Sequence, residues 1–330
     1  MNRIFEVVEN NGYLNPRNKY FLKELLVVLK EYLQANSIKF CDNDKEGLID
    51  LHIHTTLSDG EKTPNEIVEI AIQKGAQAIS FTDHDTISAY DDLVYDKNKI
   101  QIIPGIELSA YSKVGRMHVL GYGIDIYNQA FRDKLDELHQ NSIDNLLMFV
   151  EILAKDYSIY FKEEDIQNLV QLSRNIGRPD LAKLMVHEGI VQNVQDAFDR
   201  YLIDANIKIG GSLKKPTFQE CFEIIKDAGG IPILAHPHSL LLDNYSLFEK
   251  IREMKKYGLQ GIEAYHSNTS KELSEKLVSL AINENLYITG GSDYHGPIAK
   301  PNIQLFTGKN NNIKIKRLNL VDDLKNRRYN

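Results

Sequence analysis

Ten histidines occur in this chain. Eight of them, His52, His54, His84, His118, His236, His238, His266 and His295, fall at or beside the ends of short apolar runs; only His139 and His187 do not. A single histidine on an apolar strand is ordinarily a satisfied core residue, so the spacing has to carry the argument. His52-Ile53-His54 alternates with a period of two and so puts two imidazoles on one face of a strand, where both can grip one cation. Asp59 follows within Ser58-Asp59-Gly60. Carboxylate and imidazole mix again in Asp83-His84-Asp85, at Glu107, and in Asp293-Tyr294-His295. Nitrogen and oxygen donors with few thiols suit Mn²⁺, Zn²⁺ or Fe²⁺ at a catalytic site. So many ionisable groups cannot converge without cations, because desolvation and mutual repulsion would be large.

The elements that must position these groups alternate. Ile49, Leu51 and Ile53 mark a strand. Thr63-Pro64-Asn65-Glu66 supplies an N-cap, a proline at the first helical position and a capping-box Glu for a helix ending near Gly75. Strands are predicted at Ala78–Phe81, Ile100–Ile103, Met117–Gly121, Ile231–Ala235, Gly261–Tyr265 and Leu286–Thr289. Helices are predicted from Thr217 to Gly229-Gly230 and from about Lys271 to Asn283. Alternation of strand and helix favours a parallel sheet, closed or open. In a closed parallel barrel the strand ends meet on one face, where the chemistry sits. Residues 127–214 break this rhythm, with helical patterns at about Gln129–Leu153, Arg178–Glu188 and Val194–Leu202. They read as a helical insertion. Residues 1–47 read as an extension with an amphipathic helix through Phe21, Leu22, Leu25, Leu29, Tyr32 and Leu33.

Composition narrows the class. The 330 residues carry 39 Lys and Arg against 46 Asp and Glu, a net charge of −7, which argues against a broad duplex-binding face. Cys41 and Cys221 are too few for a disulfide framework or a Cys-rich zinc site. No run approaches the ~20 apolar residues of a membrane span, and MNRIFEVVENNGYLN offers no signal-peptide core. The expectation is a cytoplasmic protein.

His52-Ile53-His54…Ser58-Asp59-Gly60, Thr82-Asp83-His84-Asp85, Pro104-Gly105-Ile106-Glu107, His118-Val119-Leu120-Gly121, Ala235-His236-Pro237 and Ser292-Asp293-Tyr294-His295 resemble, in order, the motifs of the PHP (polymerase and histidinol phosphatase) superfamily. The resemblance covers about 48–126 and 215–300. It implies an α/β fold, a distorted (β/α)7 barrel over 48–126 and 215–330, with the N-terminal helical extension over 1–47 and 127–214 as a helical insertion acting as a substrate lid. It also implies a phosphoesterase with two or three divalent metal ions, Mn²⁺ foremost, with Zn²⁺ or Fe²⁺ as alternatives. Carried over by position, His52, His54, Glu107 and Asp293 hold one metal. Glu107 bridges to a second, held also by His118 and His236. Asp59, His84 and His295 hold a third. An amidohydrolase also begins with His-X-His, but its mid-barrel Lys has no counterpart at a strand end here.

The insertion, with Asn175-Ile176-Gly177-Arg178-Pro179, is similar to the branch of nucleoside 3′,5′-bisphosphate phosphatases and 5′→3′ exonucleases. The implied reaction is hydrolysis of a phosphate monoester of a small nucleotide by a metal-bound hydroxide. The nucleophile is a water that loses its proton between two cations. His238 and His266 are candidate general acids, otherwise orienting residues. Arg178, Lys113 and Arg116 are the phosphate-binding candidates. Asp180 stands where relatives often carry a polar or basic residue such as His, and His238-Ser239 where they often place an Arg, which bears on a second-phosphate pocket. The other readings are a 5′→3′ exonuclease on short RNA or DNA, a histidinol-phosphate or other small-molecule phosphatase, and a non-catalytic regulatory PHP protein. The implied partner is a small phosphorylated substrate, nucleotide or short oligonucleotide, with neither duplex nucleic acid nor membrane.

Overall fold

The computed structural model describes residues 47–327 apart from Val114 and Ser173. The amphipathic helix expected within 1–47 lies outside the described residues. The chain divides into two compact units, one comprising 48–315 and the other 1–47 with 316–330. In the latter, the described part is helix α10 (Asn319–Arg327) and the residues before it, where Arg317 pairs with Asp322 at 2.9 Å.

The larger unit is built on strands β1 (Leu48–Ile53), β2 (Ala76–Phe81), β3 (Gln101–Ile102), β4 (Gly105–Ala110), β5 (Met117–Tyr122), β6 (Ile231–Leu234), β7 (Gly261–His266) and β8 (Tyr287–Gly291). β1, β2 and β3 form one sheet, and β4 to β8 follow in chain order in a second. Pro104 separates β3 from β4 because it has no N–H for the ladder. Tyr90 fills the break: its hydroxyl accepts the Gly105 N–H at 2.8 Å and lies 2.6 Å from the Phe81 carbonyl. Two seams join the sheets. At one, Asp293 N–H donates to His52 O and His54 N–H to Tyr294 O; at the other, Asp85 N–H donates to Glu107 O and Glu107 N–H to Asp83 O. β1, β2, the broken strand β3–β4, and β5 to β8 thereby run around a ring. A short antiparallel pair, β9 (Ile303–Gln304) and β10 (Gly308–Lys309), follows.

The expected all-parallel sheet needs one correction. β5 runs antiparallel to both β4 and β6, while the other neighbours in the ring are parallel. The segment 111–116 between β4 and β5 is far shorter than the dozen or so residues a parallel crossover requires, so a hairpin forms.

Helices α1 (Pro64–Gln73), α7 (Phe218–Asp227), α8 (Asn244–Lys256) and α9 (Lys271–Asn283) cover the strands. Thr63 and Thr217 both cap as expected: each hydroxyl accepts an N–H from Glu66 or Glu220, and each Glu reaches back to the cap N–H. Such caps contribute about 1 kcal/mol each. Ile67, Val68 and Ala71 of α1 and Cys221, Phe222 and Ile225 of α7 enter one apolar core with Ile53, Ile79, Phe81 and Ile106.

Between β5 and β6 lie α2 (Gln129–Tyr157), α3 (Glu163–Val170), α4 (Arg178–His187), α5 (Val194–Ala197), a π turn at Phe198–Leu202 and α6 (Ile203–Ile209). These helices have a core of their own, with Leu146, Phe149, Leu153, Leu181, Met185 and Leu202 at its centre. α2 serves both cores: Phe131, Leu135 and Leu138 join the first, and Ile143 onward the second. Asn145, buried on α2, clamps the returning chain by accepting Lys214 N–H at 2.8 Å and donating to Lys214 O at 3.1 Å.

Candidate metal centre

β1 alternates as its sequence requires. Ile49, Leu51 and Ile53 take one face, Asp50 and His52 the other, and His54 continues the second face past the strand end; all are at most 1% exposed. Asp50 is a scaffold residue. Its Oδ1 accepts Ser292 N–H at 2.8 Å and its Oδ2 accepts Phe306 N–H at 2.8 Å, while burial raises its carboxyl to about 6. Gly291 permits β8 to approach β1, since a Cβ there would fall 2.3 Å from His52 N. Asp83 orders the turn after β1. It accepts Thr55 N–H at 2.7 Å and the Thr55 and Ser58 hydroxyls at 2.8 and 2.5 Å, which presents Asp59.

Glu107, buried on β4, is the hub. Its Oε2 lies 3.2 Å from His52 Nε2, 3.1 Å from His54 Nε2 and 3.4 Å from His84 Nδ1. Its Oε1 lies 2.9 Å from His118 Nδ1 and 2.8 Å from His236 Nε2. Asp293 Oδ1 approaches the same nitrogens of His52 and His54 at 3.5 and 3.4 Å. On the far side of His54, Asp59 Oδ1 is 3.3 Å from His54 Nδ1 and 3.3 Å from His295 Nε2, and Asp59 Oδ2 is 4.0 Å from His84 Nε2. Three donor groups therefore have ligand atoms within 4.8 Å of one another: His54, Asp59, His84 and His295; His52, His54 and Glu107; and His84, Glu107 and His118. Seven of the nine residues assigned from the motifs (His52, His54, Asp59, His84, Glu107, His118 and His295) lie in these groups, and the other two adjoin them, His236 through Glu107 and Asp293 through His52 and His54.

The hydrogen bonds behind the cluster decide which nitrogens face it. Glu263 Oε1 lies 2.7 Å from His52 Nδ1 and accepts its proton, which leaves Nε2 as the nitrogen that faces Glu107. Ser239 donates its hydroxyl proton to Arg116 O at 2.8 Å and lies 2.8 Å from His236 Nδ1. That hydroxyl accepts from His236 Nδ1–H, so Nε2 is again the nitrogen that faces Glu107. His84 Nδ1 is buried with no hydrogen-bond partner. This is the pattern of imidazoles oriented from behind for metal ions.

The electrostatics agree. Burial opposes the charged form of His52, but Glu263, Glu107 and Asp293 outweigh it and raise it to about 10. Burial also opposes ionisation of Glu107, yet His52, His84 and His118 hold its carboxyl well below the usual range. Burial pushes His118 down to about 3 against the pull of Glu107. Burial, with His54 beside it, pushes His295 down to about 4. These two are neutral donors at neutral pH. Asp293 is likewise held well below its ordinary value; burial works against this, and Lys300, 2.5 Å from Oδ2, leads the groups that favour the charge.

The candidate acids and phosphate ligands separate. His266 Nδ1 accepts Asn268 N–H at 3.0 Å, so its Nε2–H points to Asp293 Oδ2 at 3.2 Å, and both nitrogens are engaged. Half-buried His238 bonds Thr269 Oγ1 through Nδ1 at 3.1 Å. Burial, then His266 and His236, push it down to about 4. Arg178 is the first residue of α4, with its guanidinium over Phe198 at 5.8 Å. Arg116 and Lys113 lie exposed in the 111–116 loop. Asp180 turns away: Oδ2 accepts Gly177 N–H at 2.9 Å and Oδ1 pairs with Arg174 at 2.6 Å.

Residues 50–288 match the PHP domain family. The chain belongs to the PHP family. Its relatives span its length well. A phosphoribosyl 1,2-cyclic phosphate 1,2-diphosphodiesterase from Eggerthella lenta is 30% identical over 267 residues, 76% of this chain and 95% of the relative. The 5′-3′ exoribonuclease Rnm of Escherichia coli is 27% identical over 78% of this chain and 88% of its own. A 3′,5′-nucleoside bisphosphate phosphatase from Chromobacterium violaceum is 26% identical, covering 76% and 87%. Among solved structures, a protein assigned as a metal-dependent phosphoesterase from Bifidobacterium adolescentis superposes with a TM-score of 0.65 at 27% identity, over 87% of this chain and 98% of that one. An amidohydrolase structure from Chromobacterium violaceum shares the fold, with a TM-score of 0.66 at 22% identity over 85% and 97%. This PHP protein is a metal-dependent phosphoesterase. No helix among the described residues is long and apolar enough to cross a membrane.

Two contributors to the site were absent from the motif reading, Glu263 and Lys300. Glu263 sits mid-strand in Gly261-Ile262-Glu263-Ala264-Tyr265-His266 and is fully buried; a carboxylate inside an otherwise apolar strand was the available signal. Lys300 follows the last motif in a loop without periodicity and left no signal.

Proposed function

We propose that this protein hydrolyses a phosphate monoester of a small nucleotide of the 3′,5′-bisphosphate type. The observation that carries this reading is the placement of Arg178, close enough to Arg116 for their charges to repel, while Arg116 is only two residues from His118 of the donor cluster. A cationic mouth beside a metal centre suits a substrate with more than one phosphoryl group. The three relatives named above support it, since each acts by name on phosphate esters of ribose compounds.

On this reading, His52, His54, Glu107 and Asp293 hold one divalent ion. Glu107, His118 and His236 hold a second, and Asp59, His84 and His295 a third. Nitrogen and oxygen donors without thiolate favour Mn²⁺, with Zn²⁺ or Fe²⁺ as substitutes. When bound, such ions lower the pKa of water and neutralise phosphate oxygens. The chain's own residues orient and enclose. Glu263 and Ser239 fix the tautomers of His52 and His236. His266 and Lys300 hold Asp293. Neutral His238, together with His266, acts as an orienting group, and the leaving oxygen takes its proton from solvent. Arg178, Arg116 and Lys113 receive phosphate oxygens, and the helical segment 127–214 brings Arg178 as a lid would.

The test is phosphate release by Mn²⁺-loaded protein from adenosine 3′,5′-bisphosphate. A 5′-phosphorylated short oligoribonucleotide and a ribose cyclic phosphate run beside it, with Asp293→Ala as control. Release from the bisphosphate, absent in the control, is expected. Cleavage of the oligonucleotide alone would move the assignment to exonuclease, and opening of the cyclic ester alone to a diesterase. No reaction with any of the three, at full metal content, would end the nucleotide reading.

A further inference from the structure

The two oxygens of Asp293 have different company. Oδ1 faces the donor cluster, 3.5 Å from His52 Nε2 and 3.4 Å from His54 Nε2. Oδ2 instead meets two donors, His266 Nε2–H at 3.2 Å and the Lys300 ammonium at 2.5 Å. A carboxylate oxygen offers about two lone-pair directions, so both on Oδ2 are taken. The same ammonium lies 3.4 Å from the Asp293 carbonyl oxygen. Asp293 has φ +56°, a left-handed backbone that persists in a non-glycine residue only when its surroundings hold it there. A cation that touches both its carbonyl and its carboxylate pins backbone and side chain together.

Lys300 is delivered to this position by Glu61. Pro297, Ile298 and Ala299, which lead to it, are exposed, so burial does not fix their loop. The Glu61 carboxylate does: it accepts Ile298 N–H at 2.9 Å and the adjacent Ala299 N–H, while Glu61 N–H donates to His295 O at 2.8 Å. Gly296 makes the approach possible, with φ +111° and no Cβ, where a Cβ would fall 2.6 Å from Cβ and Oε2 of Glu61. Lys300 N–H donates to Gly296 O at 3.0 Å and closes the turn, and Lys300 O accepts Ile303 N–H at 3.0 Å. Glu61 itself stands two residues after Asp59, in a turn whose base is tied by Thr56 N–H to Lys62 O at 3.0 Å. The turn that presents Asp59 therefore also holds the loop that aims Lys300 at Asp293.

We infer that Lys300, delivered by Glu61, is a positioning residue that makes Asp293 a one-oxygen metal ligand and so keeps a coordination position open for a phosphate oxygen. A carboxylate that grips an ion with both oxygens fills two positions of its shell, and catalysis needs positions open to water and substrate. With His266 and Lys300 on Oδ2, Oδ1 alone is left for the ion. The ammonium also draws on the charge of the carboxylate, so it gives up some metal affinity in return for access. That is opposite in sign to Glu263, which supports a histidine ligand from behind. The inference rests on the ligand assignment above and not on which phosphate ester is cleaved.

The test compares the full chain, loaded with Mn²⁺, as wild type, Lys300→Met, Lys300→Arg, Glu61→Ala and Asp293→Ala. Chelator competition gives Mn²⁺ affinity. The water-proton relaxation rate per bound Mn²⁺ counts the exchangeable waters on the ion, and its fall on titration with inorganic phosphate gives phosphate affinity. Lys300→Met is expected to hold Mn²⁺ at least as tightly as wild type, to lose the share of one exchangeable water, and to bind phosphate about tenfold more weakly, the scale of one charge-assisted contact. Lys300→Arg should restore both, and Glu61→Ala should move in the direction of Lys300→Met. Mn²⁺ affinity that falls together with the melting temperature in Lys300→Met would overturn the inference, because the lysine would then only support the fold. Weaker phosphate binding at an unchanged relaxation rate would also overturn it, by making Lys300 a direct phosphate ligand. Wild-type behaviour of Glu61→Ala would refute delivery by Glu61. Asp293→Ala separates the two layers of the argument. If it binds Mn²⁺ like wild type, the ligand assignment falls; if it loses Mn²⁺ while Lys300→Met matches wild type throughout, the assignment stands and the inference falls.

Discussion

Replacing Glu263 with Gln separates orientation from ligation. Glu263 touches the cluster only from behind: Oε1 faces His52 Nδ1 at 2.7 Å, and Oε2 accepts His236 N–H at 2.7 Å. A carboxylate serves both donors. An amide has one acceptor oxygen, so one of the two N–H groups must face an NH₂. If the loss falls on His52, nothing holds the remaining proton on Nδ1 once the other is expelled, and Nε2, which faces Glu107 and Asp293, is no longer reserved for a metal ion. If it falls on His236, a buried backbone N–H is left unpaired and the turn shifts. Either way a charge-assisted hydrogen bond in a fully buried setting is lost, worth about 1.5–3 kcal/mol. At about 1.4 kcal/mol per decade, that weakens metal affinity roughly 10- to 100-fold, the range typical of such outer partners. Chelator competition on folded protein, followed by metal analysis, measures the change, and a thermal melt confirms that the variant folds. Metal affinity within about twofold of wild type would refute the tautomer argument, and with it the claim that Glu263 sets His52.

Chelation should abolish hydrolysis and Mn²⁺ should restore it. In the stripped protein Glu263, Glu107 and Asp293 keep His52 charged at neutral pH against burial, so loading must expel its proton and apparent affinity must rise with pH. Calorimetry in buffers of different ionisation enthalpy reads that release, and a heat independent of buffer would contradict it. Gly291→Ala should destabilise the protein by about 1–3 kcal/mol and deplete its metal, because the new methyl overlaps His52 N and Cβ; an unchanged melting temperature would count against the β1–β8 contact. Asp180→Ala should cost about 1 kcal/mol through the lost cap on Gly177 with metal content unaltered, as a denaturant titration and metal analysis can check. Metal loss would instead tie Asp180 to the site.

The ligand-bearing residues were legible because they obey local rules. His52 and His54 share a face through strand periodicity, and Asp59, Asp83 and His84 lie in turns that open as strands close. The capping boxes at Thr63 and Thr217 were equally readable, since each is a contact between residues three apart. What escaped is non-local. Glu263 acquires its role only when β7 stands between β6 and β8 and meets His52, 211 positions earlier in the chain. The reversed direction of β5 follows from a loop length that the alternation of strands and helices conceals. α3 and α8 were not anticipated. α3 is short, and none of its residues is fully buried, so its apolar stripe is weak against its acidic first turn.

The two seams of the ring have a consequence for how the molecule comes apart. One seam is stitched by the backbones of His52, His54, Asp293 and Tyr294, the other by those of Asp83, Asp85 and Glu107. Each of these short stretches also bears side chains of the donor cluster. An ion gripped across Glu107 and His54 therefore acts as a rivet through both joints of the hoop. Loading free energy is stored as resistance to opening at these joints, in proportion to the logarithm of metal concentration over its dissociation constant. Starved of metal, the molecule should breathe there before it melts anywhere else, so the supply of cation sets the mechanical integrity of the hoop as well as its chemistry.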